Sequence, residues 1–197
     1  MILLVAIIIG LAATSLRARL YHRTLKLMHL RWEWLVFAAV IPQIMVFQLP
    51  VIGRWVPEPV IPYLQIITML GLLVFVIGNL TIPGFRALTL GLFSNFLVIA
   101  LNGGWMPISL QTIWRLRPDL PADTWHAGSR LALSKDWIFA LSDTRLGFLS
   151  DCLTLPSWVP YKFAFSIGDV LISAGAVLLL WSLSREVKNE EVYEPNL

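Results

Sequence analysis

The sequence predicts an all-α membrane protein: a bundle of five transmembrane helices with an outer cap of interfacial helices between the fourth and fifth spans. Three observations predict it. Hydrophobic residues make up 57% of the chain and charged residues 14%, whereas a soluble domain is about half apolar and about a quarter charged. The apolar residues gather in long runs, not in short amphipathic stripes. Basic residues crowd the short connection 17–31, with Arg17, Arg19, Arg23, Lys26 and Arg31, and short loops of that kind stay on the cytoplasmic side.

The elements follow in order within a single membrane domain, 1–197. The first span covers about 1–20; it is apolar from its first residue, and its charges come after the run, unlike a secretory signal. The second covers about 32–50, with Pro42 as a kink. The third, 61–81, and the fourth, 85–102, form a hairpin through the turn at 82–85. The fifth covers 166–184. Residues 17–31 inside place the N-terminus and the segment 103–163 outside, and the tail 185–197 in the cytoplasm. Trp32, Trp34, Trp55, Trp105 and Trp158 fall near the interfaces, as an aromatic belt does. Residues 103–163 hold five of the nine tryptophans. Two amphipathic patterns there read as interfacial helices: 109–118, ended by Pro118, and 129–141, with Leu131, Leu133, Trp137, Ile138 and Leu141 on one face.

Asp169 opens the fifth span, where a carboxylate near hydrocarbon needs support. Ser166 and Asp169 have the spacing of a capping box, and the helix dipole favours the negative charge. The catalytic reading pairs Asp169 with Asp143 or Asp151, all on the predicted outer side. Two such carboxylates share a proton and activate water. In "NGGWMP", Asn102 ends the fourth span and Gly103 and Gly104 permit the left-handed backbone of a helix exit; their amides are alternatively placed to line a site near Asp169. His22 and His29 are seven apart, which a helix would bring to one face. His126 stands alone, and three scattered histidines make a poor metal set. Cys152 is the sole cysteine, so no internal disulfide forms. No phosphate loop, HExxH or GxSxG occurs, and no cofactor or metal is expected. The basic residues flank apolar spans, which argues against nucleic acid. The expected partners are the bilayer and other membrane-protein subunits.

The segment 141–175 resembles the C-terminal part of lipoprotein signal peptidases. The matching residues are Asp143 with Arg145, Gly147 with Phe148, Asp151, and Phe165 to Asp169. Thr144 interrupts the Asp-Arg pair, and the asparagines of both aspartate motifs are missing. That resemblance implies a membrane aspartyl peptidase. Nearly the whole chain resembles a bacterial membrane family catalogued as domain of unknown function 5317, through "ALNGGWMPIS" at 100–109, "TRLGFLSDCLTLP" at 144–156 and "FSIGDVLISAG" at 165–175. Ser150 stands where that family has glycine before the aspartate. This resemblance implies a bacterial cytoplasmic membrane and supplies no activity. The leading expectation is a non-catalytic structural or accessory subunit of a membrane assembly. A hydrolase using Asp169 comes second and a small-molecule carrier third.

Overall fold

The computed structural model describes residues 2–26, 28–121, 123–132, 134–140, 142–156 and 158–185. The tail beyond Arg185, with Leu133 and Leu141 of the second amphipathic pattern, lies outside the described residues.

The chain is mostly helical with a few short strands. Helix α1 (Ile2–Leu20) is followed by strand β1 (Thr24–Leu25), then α2 (Trp34–Phe47), which contains Pro42, and the short α3 (Pro50–Gly53). Next come α4 (Ile61–Gly78) and α5 (Phe85–Leu101). Between them Gly84 sits at φ 90°, the left-handed backbone that the tight turn needs. Residues 102–165 form a cap built from β2 (Met106–Ser109), α6 (Leu110–Leu116), β3 (Asp136–Phe139), β4 (Leu153–Thr154) and β5 (Ala164–Phe165). Helix α7 (Ile167–Ser182) and β6 (Ser184–Arg185) close the described chain.

Two helical stretches, Ile2–Leu20 and Glu58–Gly78, are long and apolar enough to cross a membrane; α2, α5 and α7 are shorter apolar helices. The long helices pack in the order α1, α7, α5, α4, α2. Helices α5 and α7 run antiparallel at close approach. Gly84 faces Gly175, and Gly91 faces Gly168, so backbone meets backbone. Helix α1 lies along α7, with Gly10 against Val177 and Leu180 and the Arg17 guanidinium 4.3 Å above the Trp181 ring. At the end opposite the cap, β1 pairs antiparallel with β6, and Asn79 donates to the Arg31 carbonyl at 3.0 Å and accepts from its amide at 2.9 Å.

The cap departs from the sequence expectation. Its first amphipathic pattern is a helix, α6, with Ser109 accepting from the Thr112 amide as its N-cap. The second is no helix. Asp136–Phe139 is a strand parallel to Met106–Ser109, with Ile108 opposite Ile138. Ile108, Ile113 and Ile138 form the buried centre of the cap. A periodicity compatible with a helix is overridden by pairing with a strand some thirty residues away. The connection 17–31 likewise contains β1, and His22 has φ 48°, so no helix aligns His22 with His29. Trp105 is buried, packed against Trp137 with the rings tilted by 38° and 5.1 Å between centroids, and does not belong to an outward-facing belt.

Candidate functional site at the junction of cap and helices

The capping box at the start of α7 is present in full. Ser166 Oγ accepts from the Asp169 amide at 3.0 Å, and Asp169 Oδ2 accepts from the Ser166 amide at 3.1 Å. Asn95, one turn from Gly91 on α5, completes the arrangement. Its Nδ2 donates to Asp169 Oδ1 at 2.9 Å, and its Oδ1 accepts from Ser166 Oγ at 2.8 Å. Gly168 makes this possible, because a Cβ there would fall on the Asn95 side chain. Asp169 Oδ1 thus joins α5 to α7, while Oδ2 closes the cap of α7 itself.

"NGGWMP" builds the opposite wall. Asn102 Nδ2 donates to the Val98 carbonyl at 2.7 Å and to the Arg145 carbonyl at 2.8 Å, and Asn102 Oδ1 accepts from the Arg145 amide at 2.9 Å. Gly103 and Gly104 turn the chain at φ 71° and 88°, and Gly104 lies against Pro62 with no room for a side chain. Beyond Trp105, Met106 and Pro107 hold the site. The Met106 amide donates to the Lys135 carbonyl at 3.2 Å, and the Pro107 carbonyl accepts from the Asp151 amide at 3.1 Å. Neighbouring positions of one strand thus fix the backbones of two charged residues.

Those residues form an ion pair, with Lys135 Nζ donating to Asp151 Oδ2 at 3.1 Å; Asp136 Oδ1 lies 3.6 Å from the same nitrogen. The Asp151 side chain is 4% exposed and its Oδ1 has no hydrogen-bond partner. Burial pushes the Asp151 carboxyl up to about 7, against the pull of Lys135 and with the help of Asp136 and Asp169. Burial opposes the charge on Lys135, yet Asp151, Asp136 and Asp169 together hold its ammonium above the ordinary lysine value.

Lys135, Asp136, Asp151 and Asp169 line one cavity of about 250 Å³, walled by Phe163, Phe165, Ile172 and the start of α1. Of the sequence-predicted candidates, the structure brings Asp151 and Asp169 to this cavity. Asp143 is exposed elsewhere in the cap, accepting from Ser142 Oγ. The Arg145 side chain is exposed, and only its backbone is used. Asn102, Gly103 and Gly104 support the cap without lining the cavity. Lys135 and Asp136 are the residues that sequence reasoning missed; Asn95, a polar residue within the fourth span, makes the interhelical hydrogen bond that such a residue suits. The adjacent Lys-Asp pair between apolar stretches was the available signal. No group of three or more His, Cys, Asp and Glu among the described residues is arranged to hold a metal ion.

Residues 27–181 match the model of a family described as "Family of unknown function (DUF5317)". An uncharacterized protein of Thermotoga maritima is 29% identical over 123 residues, covering 60% of this chain and 64% of that protein. The alignment thus spans less than two thirds of the relative's length. No solved structure matches. Neither match carries a peptidase description, so the partial resemblance to lipoprotein signal peptidases has no support from them.

Proposed function

The chain belongs to the DUF5317 family, a family of unknown function, and from that premise we propose a five-span, non-catalytic membrane protein that serves as a structural or accessory subunit. The observation that carries the non-catalytic reading is the engagement of Asp169. Each of its oxygens accepts one hydrogen bond, from Asn95 and from the Ser166 amide, which is what a residue that caps α7 and ties it to α5 requires.

The membrane placement is supported by an inside-out surface. Leu4, Ile8 and Ile9 of α1, Phe37 and Ile41 of α2, Ile67 and Val74 of α4, Leu90 and Phe93 of α5, and Leu178 of α7 are all exposed. Gln65, Thr68, Asn79, Asn95 and Ser173 are buried between the helices. Water would favour the reverse, whereas lipid accepts outward apolar side chains and leaves the polar ones to bond between helices. Charge supports the orientation. The end opposite the cap gathers Arg17, Arg19, Arg23, Lys26, Arg31 and Arg86 against Glu33, which suits the cytoplasmic side. The cap then faces outward.

The single cysteine tests this. Cys152, half-buried in the cap, should react with a membrane-impermeant maleimide in intact cells. A His22→Cys, Cys152→Ser variant should react only after permeabilisation. The opposite pattern would invert the topology, and labelling of both in intact cells would sink the five-span reading. For the subunit role, mild solubilisation of the tagged chain should recover a defined second membrane protein; a homogeneous species without partners would count against it.

A further inference from the structure

At the end of the bundle opposite the cap, Ala13, Leu16, Arg17 and Leu20 of α1 follow helical spacing and share one face. That face and Trp181 of α7 border a cavity of about 420 Å³, which Tyr21 and Arg23 also line. Leu16, Leu20, Tyr21 and Trp181 are exposed, so the cavity is open to a ligand from outside the protein. Its lining is apolar and aromatic except for the two guanidinium groups, and no carboxylate lies on it. Arg17 is held in place without being neutralised. Its guanidinium lies 4.3 Å above the Trp181 ring, and one N–H donates to the Trp181 carbonyl at 3.4 Å. A guanidinium has five N–H donors, and no ion pair engages Arg17 among the described residues. The Arg23 guanidinium lies 6.0 Å from the Tyr21 ring.

The geometry points to a binding site for an anionic glycerophospholipid, with its phosphate on Arg17 and Arg23 and an acyl chain along Leu16 and Ala13. Guanidinium donors match phosphate oxygens in geometry and in charge. The apolar part of the cavity selects a lipid over a soluble anion. The face of α1 that carries Leu16 and Leu20 continues upward through Ala13 and Ile9, and Leu178 of α7 stands one turn above Trp181; Ile9 and Leu178 are exposed. An acyl chain covers this track, and a free phosphate leaves it bare. Tyr21 and Trp181 are rings of the kind that sit at the level of lipid headgroups. The inference rests on the membrane reading above, which puts this end of the bundle on the cytoplasmic side. The cytoplasmic leaflet carries the anionic lipids, and each basic residue near its surface adds about 1 kcal/mol of attraction, or about fivefold.

The test places the full chain in nanodiscs of equal parts phosphatidylglycerol and phosphatidylcholine, and native mass spectrometry measures the lipid that stays bound on release. Phosphatidylglycerol should be retained over phosphatidylcholine by at least about tenfold, and Arg17→Gln and Arg23→Gln should each reduce that preference about fivefold. Arg17→Gln also loses the contact with Trp181; if it does not fold, Arg23→Gln decides. Arg19→Gln is the control. Arg19 is exposed on the same helix but two residues from Arg17, away from the cavity, and its loss should leave the preference unchanged. Equal retention of the two lipids, a preference that persists in the folded variants, or an equal loss in Arg19→Gln would overturn the site. A midpoint raised by inorganic phosphate in detergent, without lipid preference, would overturn it in favour of a soluble anion. A chain that enters nanodiscs and shows no preference sinks the site alone. A chain that does not enter them sinks the membrane reading and the site with it.

Discussion

Asp151 is fixed through its backbone by Pro107 and through one oxygen by Lys135, while its other oxygen is buried without a hydrogen-bond partner. This arrangement has a pH signature. The folded carboxyl titrates at about 7, above its ordinary 3.8. The folded state therefore holds a proton that the unfolded chain releases earlier, and stability should fall as pH rises through that interval, then level off. Lys135, held above its ordinary value, keeps its charge throughout. Asp151→Asn should flatten the slope of thermal midpoint against pH between about 4 and 7; an unchanged slope would refute the role of Asp151. Asp169 predicts a different result. Asp169→Asn sets an NH2 against one of the two donors, the Ser166 N–H or the Asn95 amide, and should cost about 1 kcal/mol, the usual net worth of one hydrogen bond, seen as a lower midpoint without loss of the fold. The capping role of Ser166 and Asp169 was legible in the sequence because both residues lie within one turn. Lys135 was not, since its partner is chosen by the backbone of a strand distant in the chain.

The pairing of α5 with α7 depends on two glycine pairs seven residues apart on each helix, Gly84 with Gly175 and Gly91 with Gly168. A Cβ at Gly91 would lie 2.5 Å from the Gly168 carbonyl oxygen and 2.8 Å from the Ile172 amide nitrogen. Backbone cannot yield as a side chain tip can, so Gly91→Ala should lower stability by about 1–3 kcal/mol. Gly71 provides the control. A Cβ there meets only Ala39 at 3.9 Å, and Gly71→Ala should be neutral or stabilising by up to ~1 kcal/mol. Midpoints measured in the same detergent compare the two; equal effects would refute the close approach. The helices themselves were readable from long apolar runs. The glycine register was not, because it exists only between elements. The same limit explains β3: Leu131, Trp137 and Ile138 fit a helical spacing, and only pairing with β2 selects the extended form.

At the scale of the whole molecule, the three motifs in the sequence serve one junction. "NGGWMP" holds the backbones of Lys135, Arg145 and Asp151, "LGFLSD" ends at Asp151, and "FSIGD" supplies the cap and the joint to α5. Residues scattered over some seventy positions meet where the cap rests on the helices. The main contacts of α1 are with α7 and β6, and Arg17 lies 164 residues from the Trp181 carbonyl it donates to. This connectivity sets an order of assembly. Contacts between distant segments form late, since a long loop must close first. During synthesis the first helix emerges long before the surface it docks on exists. It must wait without its partner until the last helix is made, and its arrival would complete both the helix row and the wall of the cavity. Nascent chains arrested before Ile167 should leave the Gly10 face of α1 open to a lipid-phase photo-cross-linker, and chains extended past Arg185 should shield it.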